Sequence, residues 1–564
     1  MKSKVLLLFI IPVTVAIIAR LPFLTKEFVL EEALHVKVAK AIAARGYPSI
    51  YYSELQPNGI FLDRTPVFFL PLAVVIKLFG TKEIAIRAIL LLFSLTEIIA
   101  VIYFIKRLFK KNALQIAMIT ALLMATSPYY IQTNLQIHLD NAIFTLLTSS
   151  FLLLCLLKIQ NRQNRWGDYL QIALIFLLVF SIKYETGLMA FGIILIFCFI
   201  YYRQFIKKFL ISIAAAVLTS QLLFFLYNLA FGHAQQTLIP AQRIFWVFQN
   251  IFFPKFTSIN ASQHSLSLWA NNYFLLIRFL SWINIPLILL SFYTLIRIVK
   301  TKTLKNDLRI RFLIIWLFLF SIIYLLGGWA GDFPRYFVPA MPALFILIAL
   351  VLTNDLASIT KRVSTTSGLV ALAIGTALLV IAKNYGFLFL DHITGWLPEL
   401  QIPFFAIILG FAALVLISTF YKKFAAYLLI ILITLYIGQT ILQLRHDASS
   451  NFSLTNFYGY SGYKLSGQFL KNTLGKNDAI LTIDPVAFYY EGKFYDYFYF
   501  GQENKNISLI TEPLIKNKIK AVALPQLLLN NYSQKIGFNI IKVINQDYKN
   551  HRNFGGEHGI EVFY

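Results

Sequence analysis

Apolar runs near twenty residues long, divided by short polar links, recur from the N-terminus to about residue 443. A helix needs roughly 20 such residues to cross a hydrocarbon core about 30 Å thick. The pattern therefore predicts a polytopic α-helical membrane protein with thirteen spans, near 5–24, 84–105, 112–127, 139–158, 168–184, 187–202, 209–231, 272–298, 309–328, 334–353, 366–383, 401–420 and 424–443. The run TPVFFLPLAVVIKLFG breaks the rhythm, because it holds Pro66 and Pro71 and as a helix would reach only about 22 Å. Counting it as a span would also put KRLFKK on the outer side, whereas Lys and Arg clusters mark cytoplasmic loops. It is read as an interfacial segment within a first outer loop, 25–83. The clusters KIQNRQNR, RQFIKK, RIVKTKTLKNDLRIR and YKK then fall inside. The outer face receives 25–83, the short turn SPYYIQTNLQIH, 232–271, GGWAGDFPRY and 384–400.

After about residue 444 the pattern turns polar and Tyr-rich. AILTIDP, KAVALP and FNIIKVI read as short strands and YKLSGQFLKNTL as an amphipathic helix. The expected organisation is a transmembrane domain, 1–443, and a small extracytoplasmic α/β domain, 444–564, acting as a stabilising or acceptor-gathering cap.

Composition agrees with this reading. The chain is 58% hydrophobic and 13% charged, with a mean hydropathy of +0.70, against about a quarter charged in soluble domains. The net charge of +25 sits in the inner links, where it serves topology and anionic headgroups rather than nucleic acid. The N-terminus has a basic start and an apolar middle but no A-x-A-like cleavage site, so it is read as an uncleaved first span. Cys155 and Cys198 both lie inside apolar runs, which offers no disulfide framework. No internal repeat of the kind many transporters carry is visible.

Charges against a membrane are costly and point to function, and here they converge on the outer face. Glu31, Glu32 and His35 lie in the first outer loop, with Asp63 and Arg64 ahead of the interfacial segment. Arg87 tops the second span, and His138 and Asp140 open the fourth. Lys183 and Glu185 sit in SIKYETGL, and Asp332 and Arg335 in GDFPRYFVPAMPAL. Each has a plainer alternative. Glu32 suits a helix N-terminus, and Arg64 and Arg87 suit headgroups reached by snorkelling. Their common face favours a vestibule that joins a phosphate-bearing lipid to a neutral acceptor.

An acidic pair follows span one, with G-Y-P some fifteen residues on. Then come D-R-T-P-V-F-F-L, L-F-G-T-K-E-I-A-I-R, A-T-S-P with an Asp twelve residues later, S-I-K-Y-E-T-G-L and R-Y-F-V-P-A-M-P-A-L. In this order, over roughly residues 1–350, the chain resembles the GT-C glycosyltransferases that use polyprenyl-phosphate sugars, in the protein O-mannosyltransferase and lipid A aminoarabinose transferase group. The resemblance implies a catalytic acid at Glu31 with Glu32 beside it, where the family usually has Asp then Glu. It implies a second acidic residue at Asp140 and a donor-phosphate cation at Arg64, where K-P-P or R-P-P has become RTP. It also implies phosphate or loop-holding roles for Arg335 and, at an S-K-G-like position, for Lys183. His35, His138, Arg87 and Asp332 are candidate supporting residues.

The expected activity is inverting transfer of a sugar from a polyprenyl phosphate to a hydroxyl of an extracytoplasmic lipid, glycan or protein, in a bacterial or archaeal plasma membrane. A divalent cation stays open: carboxylates from two loops suit one, and the two histidines offer softer ligands, but no close-spaced ligand motif is present. The alternatives are a transporter or flippase of a lipid-linked sugar, and a non-catalytic glycan- or lipid-binding scaffold.

Overall fold

The computed structural model describes residues 2–54, 59–61, 65–162, 165–237, 285–301, 304, 306–326, 334–359, 364–384, 410, 413, 422–449, 461–496, 518–525, 548–555 and 559–564. In chain order its helices are α1 (Lys2–Arg20), α2 (Leu30–Arg45), α3 (Phe69–Phe79), α4 (Glu83–Leu108), α5 (Ala113–Thr126), α6 (Pro128–Leu135), α7 (Ala142–Gln160), α8 (Trp166–Ile182), α9 (Tyr184–Tyr201), α10 (Arg203–Ala230), α11 (Ile285–Lys300), α12 (Leu308–Leu326), α13 (Met341–Ile359), α14 (Thr365–Asn384), α15 (Lys422–Ser449), α16 (Tyr463–Thr473) and α17 (Asp484–Tyr490).

Among the described residues six segments are long and apolar enough to cross a membrane: α4, α7, α9, α10, Arg335–Asp355 leading through α13, and Phe424–Ala448 within α15. The pair α5–α6, bent by 67°, makes a seventh if it is one span. This is an integral membrane protein, with a coarser span count than the thirteen expected. Most of the span expected at 401–420 and the first half of that at 272–298 lie outside the described residues. Those at 5–24, 168–184 and 366–383 coincide with helices whose apolar stretches are shorter.

The bend corrects one expectation. SPYYIQTNLQIH is mostly helix, not turn, and every residue from Pro128 to Leu135 is buried. Proline at a first helical position costs no hydrogen bond and presets φ, so Pro128 starts α6 where α5 ends. The interfacial segment begins with a 3-10 turn, Pro66–Phe68, and continues as α3. α3 buries Phe69, Leu72, Ala73 and Ile76 and exposes Leu70, Val74, Leu78 and Phe79, an apolar outer face suited to lipid.

At the C-terminal end, β3 (Ala479–Thr482), β4 (Lys493–Asp496), β5 (Ile519–Pro525), β6 (His551–Phe554) and β7 (Ile560–Phe563) follow a two-residue hairpin pair, β1 (Ser49–Ile50) and β2 (Gly59–Ile60). The five form one sheet in the order β4-β3-β5-β7-β6. β3 runs parallel to β4 and β5, and β7 antiparallel to β5 and β6. AILTIDP, KAVALP and the amphipathic helix fall where the sequence pattern puts them, as β3, β5 and α16; FNIIKVI lies outside the described residues.

This sheet unit is tied to the segment that leads into α2. Glu27 accepts from the backbone N–H groups of Gly462 (2.9 Å) and Lys464 (2.8 Å), at the start of α16. Phe28 donates its N–H to the Tyr489 hydroxyl (2.8 Å) and meets the Phe488 ring edge-on at 5.4 Å. Val29 is buried in the same core as Tyr463, Ile480, Val486 and Val522.

Candidate active site

α2 starts where Val29 is extended and Glu32 reaches back to its N–H at 3.1 Å, satisfying a donor that a helix start leaves open. The helix stops at Gly46, whose φ of +76° favours glycine and where a Cβ would meet the Phe231 ring at 2.9 Å. Glu32 is 2% exposed. Besides its cap it accepts from the Ile137 N–H (3.0 Å) and from Arg87 (2.7 Å), which also donates to the carbonyls of Lys26 and Glu27. Glu32 thus joins α2, α4 and the segment before His138.

Consecutive helical residues point about 100° apart, so Glu31 faces elsewhere. Its carboxylate meets His138 Nε2 at 2.6 Å and Arg335 at 2.8 Å, with 43% of the side chain still exposed. Three chain breaks supply the rest. Between α6 and α7, the loop carrying His138 and Asp140 ends at Asn141, whose side chain caps α7 by accepting from Ile143 N–H at 3.0 Å. Lys183 is an extended residue between α8 and α9. Arg335 lies in a 3-10 turn, Pro334–Ala340, pinned by the Trp316 indole donating to the Pro339 carbonyl at 2.8 Å.

Asp140 is fully buried and ion-paired with Lys183; it lies 3.4 Å from His138 Nδ1 and 4.0 Å from Arg335 Nε. The Lys183 ammonium also sits 4.2 Å from the Tyr336 ring centre. His35 makes a 2.8 Å hydrogen bond through Nδ1 to the Ile137 carbonyl, and its ring centre is 5.2 Å from that of His138. Glu31, His138 and Asp140 form a chain, with Arg335 and Lys183 along its flank.

Burial pushes the Glu31 carboxyl up, but Arg335, His138 and His35 overcome this and hold it well below the usual carboxylate range. Burial acts the same way on Asp140, and Lys183, His138 and Arg335 outweigh it, so Asp140 is also held low. Burial and the neighbouring His138 pull His35 down to about 4, leaving it neutral near pH 7.

Of the residues singled out in the sequence, Glu31, His35, His138, Asp140, Lys183 and Arg335 come together. Glu32 and Arg87 pair beside them, and Arg87 ends on protein groups rather than snorkelling. Asp63, Arg64 and Asp332 lie outside the described residues. Among the described residues no three His, Cys, Asp or Glu side chains form a set suited to a metal ion. The oxygens of Glu31 and Asp140 are turned to cations and to His138, so the arrangement is one of ion pairs.

A second polar cluster escaped the sequence reading. Glu97, inside α4, accepts from Tyr130 (2.6 Å), Thr145 (3.0 Å) and Ser149 (3.1 Å), thereby gripping α6 and α7 on both sides of the His138–Asp140 loop. Arg20 at the end of α1 donates to Ser94 and to the carbonyls of Ala16, Met124 and Ala125. The signal was there: an acidic residue midway along an apolar run is costly unless it has protein partners.

The family model described as dolichyl-phosphate-mannose-protein mannosyltransferase matches residues 63–231. No curated protein sequence matches the chain. Among solved structures, ArnT from Cupriavidus metallidurans bound to undecaprenyl phosphate is similar, with 13% identity, a TM-score of 0.58 and coverage of 100% of this chain and 98% of that one. Its apo state gives 14% identity, a TM-score of 0.56 and the same coverage. The Archaeoglobus fulgidus oligosaccharyltransferase, in complex with zinc and sulfate, gives 12% identity and a TM-score of 0.51, covering 98% of this chain and 72% of that one. Along the whole chain, the fold is shared with these solved structures.

Proposed function

We propose that this protein is an inverting glycosyltransferase that moves a sugar from a polyprenyl phosphate to a hydroxyl of an extracytoplasmic acceptor. The observation that carries the reading is the convergence of Glu31, His138, Asp140, Lys183 and Arg335 from four separate segments, with only the Glu31 carboxylate substantially open. The match to a family that uses a lipid-linked sugar, and a fold shared with a protein crystallised on undecaprenyl phosphate, support it. The thirteen-span topology, with residues 1–443 as the membrane domain and 444–564 as an outer cap, belongs to the same proposal.

In this mechanism Glu31 takes the proton of the acceptor hydroxyl as its oxygen bonds to the anomeric carbon. The bond from that carbon to the phosphate oxygen breaks on the opposite side, and the polyprenyl phosphate leaves with the electron pair. General-base help of this kind contributes about 10²–10⁴-fold. The leaving group is already a phosphate, so no general acid is needed; Arg335 and Lys183, with Arg64 by its place in the sequence, neutralise the charge that grows on it. A carboxylate held low by Arg335 is a weak base. Donor phosphate recruits the same guanidinium, which frees Glu31 as the substrates assemble. Asp140 holds Lys183 and His138 in place and sets the charge around the anomeric carbon. Glu32 fixes the start of α2.

The test is direct. Protein in nanodiscs, given a radiolabelled polyprenyl-phosphate sugar and an envelope extract as acceptor, releases polyprenyl phosphate. Glu31→Gln and Asp140→Asn each lower turnover by about 10²-fold or more in protein that is still folded at the assay temperature. Wild-type rates in both would reject the site.

A further inference from the structure

α2 carries chemistry on a second side. Lys37, Lys40 and Arg45 line an open cavity of about 600 Å³, together with Tyr51 and with Phe488 and Phe494 of the C-terminal sheet unit. Residues 37, 40 and 41, 44 and 45 recur at three- and four-residue spacing, which puts them along one stripe of the helix. Lys37 lies six residues beyond Glu31, roughly 9 Å along the axis and turned about 120° away from it. The cavity is therefore separate from the Glu31 hollow, though built on the same helix.

Its walls combine two chemistries. Lys37 pairs with Asp484 and sits 4.9 Å from the Phe494 ring centre. Glu491, the acidic residue in the lining, is drawn to Lys471 at 2.7 Å. Lys40 and Arg45 are exposed and add positive charge to the opening. Aromatic faces beside cations suit a sugar ring, whose C–H face packs on the ring while its acidic substituent meets the charge. The volume falls in the range of about 300–1,000 Å³ usual for small-ligand sites. One wall is the sheet unit, through Ala487, Phe488 and Phe494, and the exposed cations at the opening face water-borne anions.

We infer that this cavity binds an anionic saccharide. Resting on the function proposed above, the assignment makes it the place where an acidic acceptor glycan is held while a hydroxyl further along it reaches Glu31. The probe is a fluorescent hexagalacturonate, titrated without any donor onto full-length protein in phosphatidylcholine nanodiscs, against maltohexaose as the neutral control. The acidic hexamer binds at least about 10-fold more tightly than the neutral one. Lys40→Glu and Arg45→Glu each weaken it by about 10-fold, with donor turnover on a small neutral alcohol retained.

Equal binding of the two hexamers, or unchanged affinity in both variants, overturns the assignment. Competition by phosphatidylglycerol vesicles or by inorganic phosphate as effective as that by the acidic hexamer also overturns it, because the cavity is then a headgroup or free-anion site. The Glu31→Gln protein, assayed in parallel, separates the two readings. Binding that survives there while all variants and the wild type lack transfer leaves the saccharide site standing and removes the enzyme. Transfer without hexamer binding does the reverse.

Discussion

The outer hollow and the cluster around Glu97 are both built from charged side chains in an apolar chain, yet they are finished differently. Glu97 is fully buried and both its oxygens are met by protein hydroxyls. Glu31 has strong cationic partners on one side and keeps 43% of its surface open on the other. A carboxylate saturated by protein groups holds helices together; one that is held and still reachable is placed to react. Glu32 makes the same point one residue from Glu31, since its contacts to Val29, Ile137 and Arg87 leave it 2% exposed.

Substitutions that separate turnover from stability sharpen this contrast. The largest effect is expected at Glu31, where Gln removes the base and turnover falls by about 10²–10⁴-fold, far more than the loss of its ion pairs changes melting. Arg335→Ala follows: single-turnover rates with saturating lipid donor drop by about 10²–10³-fold, the scale of losing one preorganised donor to a developing charge. If Arg335→Ala affects only acceptor KM, the phosphate role is wrong. Glu97→Ala inverts the pattern. It orphans the hydroxyls of Tyr130 and Ser149, at about 1–3 kcal/mol each, and leaves Thr145 only its longer bonds to Asn134 and Ala142, which lowers the melting temperature; Glu97→Gln recovers most of the loss by still accepting. A Glu97→Ala protein that melts like wild type would dissolve the contrast.

The smallest effect is in pH. His35 takes a proton at about 4 when folded, against an ordinary 6.5, so between those values the unfolded chain binds more protons. The stability gained by keeping it neutral is complete above pH 6.5 and lost as pH falls toward 4. The Glu31 contribution, from a carboxyl held low, disappears only below its ordinary 4.5. Melting curves of wild type and His35→Gln therefore diverge between pH 6.5 and 4, and parallel curves there would refute the assignment.

Much of this was legible in the chain. Apolar periodicity located α4, α5, α7, α9 and α10 to within a few residues, because a membrane span is set by length and hydropathy alone. The same logic set TPVFFLPLAVVIKLFG apart from the spans through its two prolines, and the short helix α3 lies there. Hydrophobicity could not see that Pro128 launches a buried helix, since SPYYIQTNLQIH carries the polar residues of a turn and its burial comes from packing against neighbours. The shared face of Glu31, His138, Asp140, Lys183 and Arg335 was readable from topology. Which acidic neighbour faces the hollow was not, because helical phase at Leu30 is fixed by the Glu32 cap and by Arg87, 55 residues from Glu32 in the chain but adjacent to it in space. β4 and β6 read KFYD and HRNF and bury at most one residue each, too little apolar pattern to announce a strand, whereas β3, equally short, buries three.

Glu27 caps α16, Phe28 and Val29 are seated in the sheet unit, and Glu31 follows after a single intervening residue. No slack lies between the two. A cargo that shifts the sheet unit drags Glu31 with it, and displacements near 1 Å are enough to change a rate by about 10²-fold. The sheet unit and the proposed base are therefore mechanically one part, and whatever docks on the first is weighed by the second.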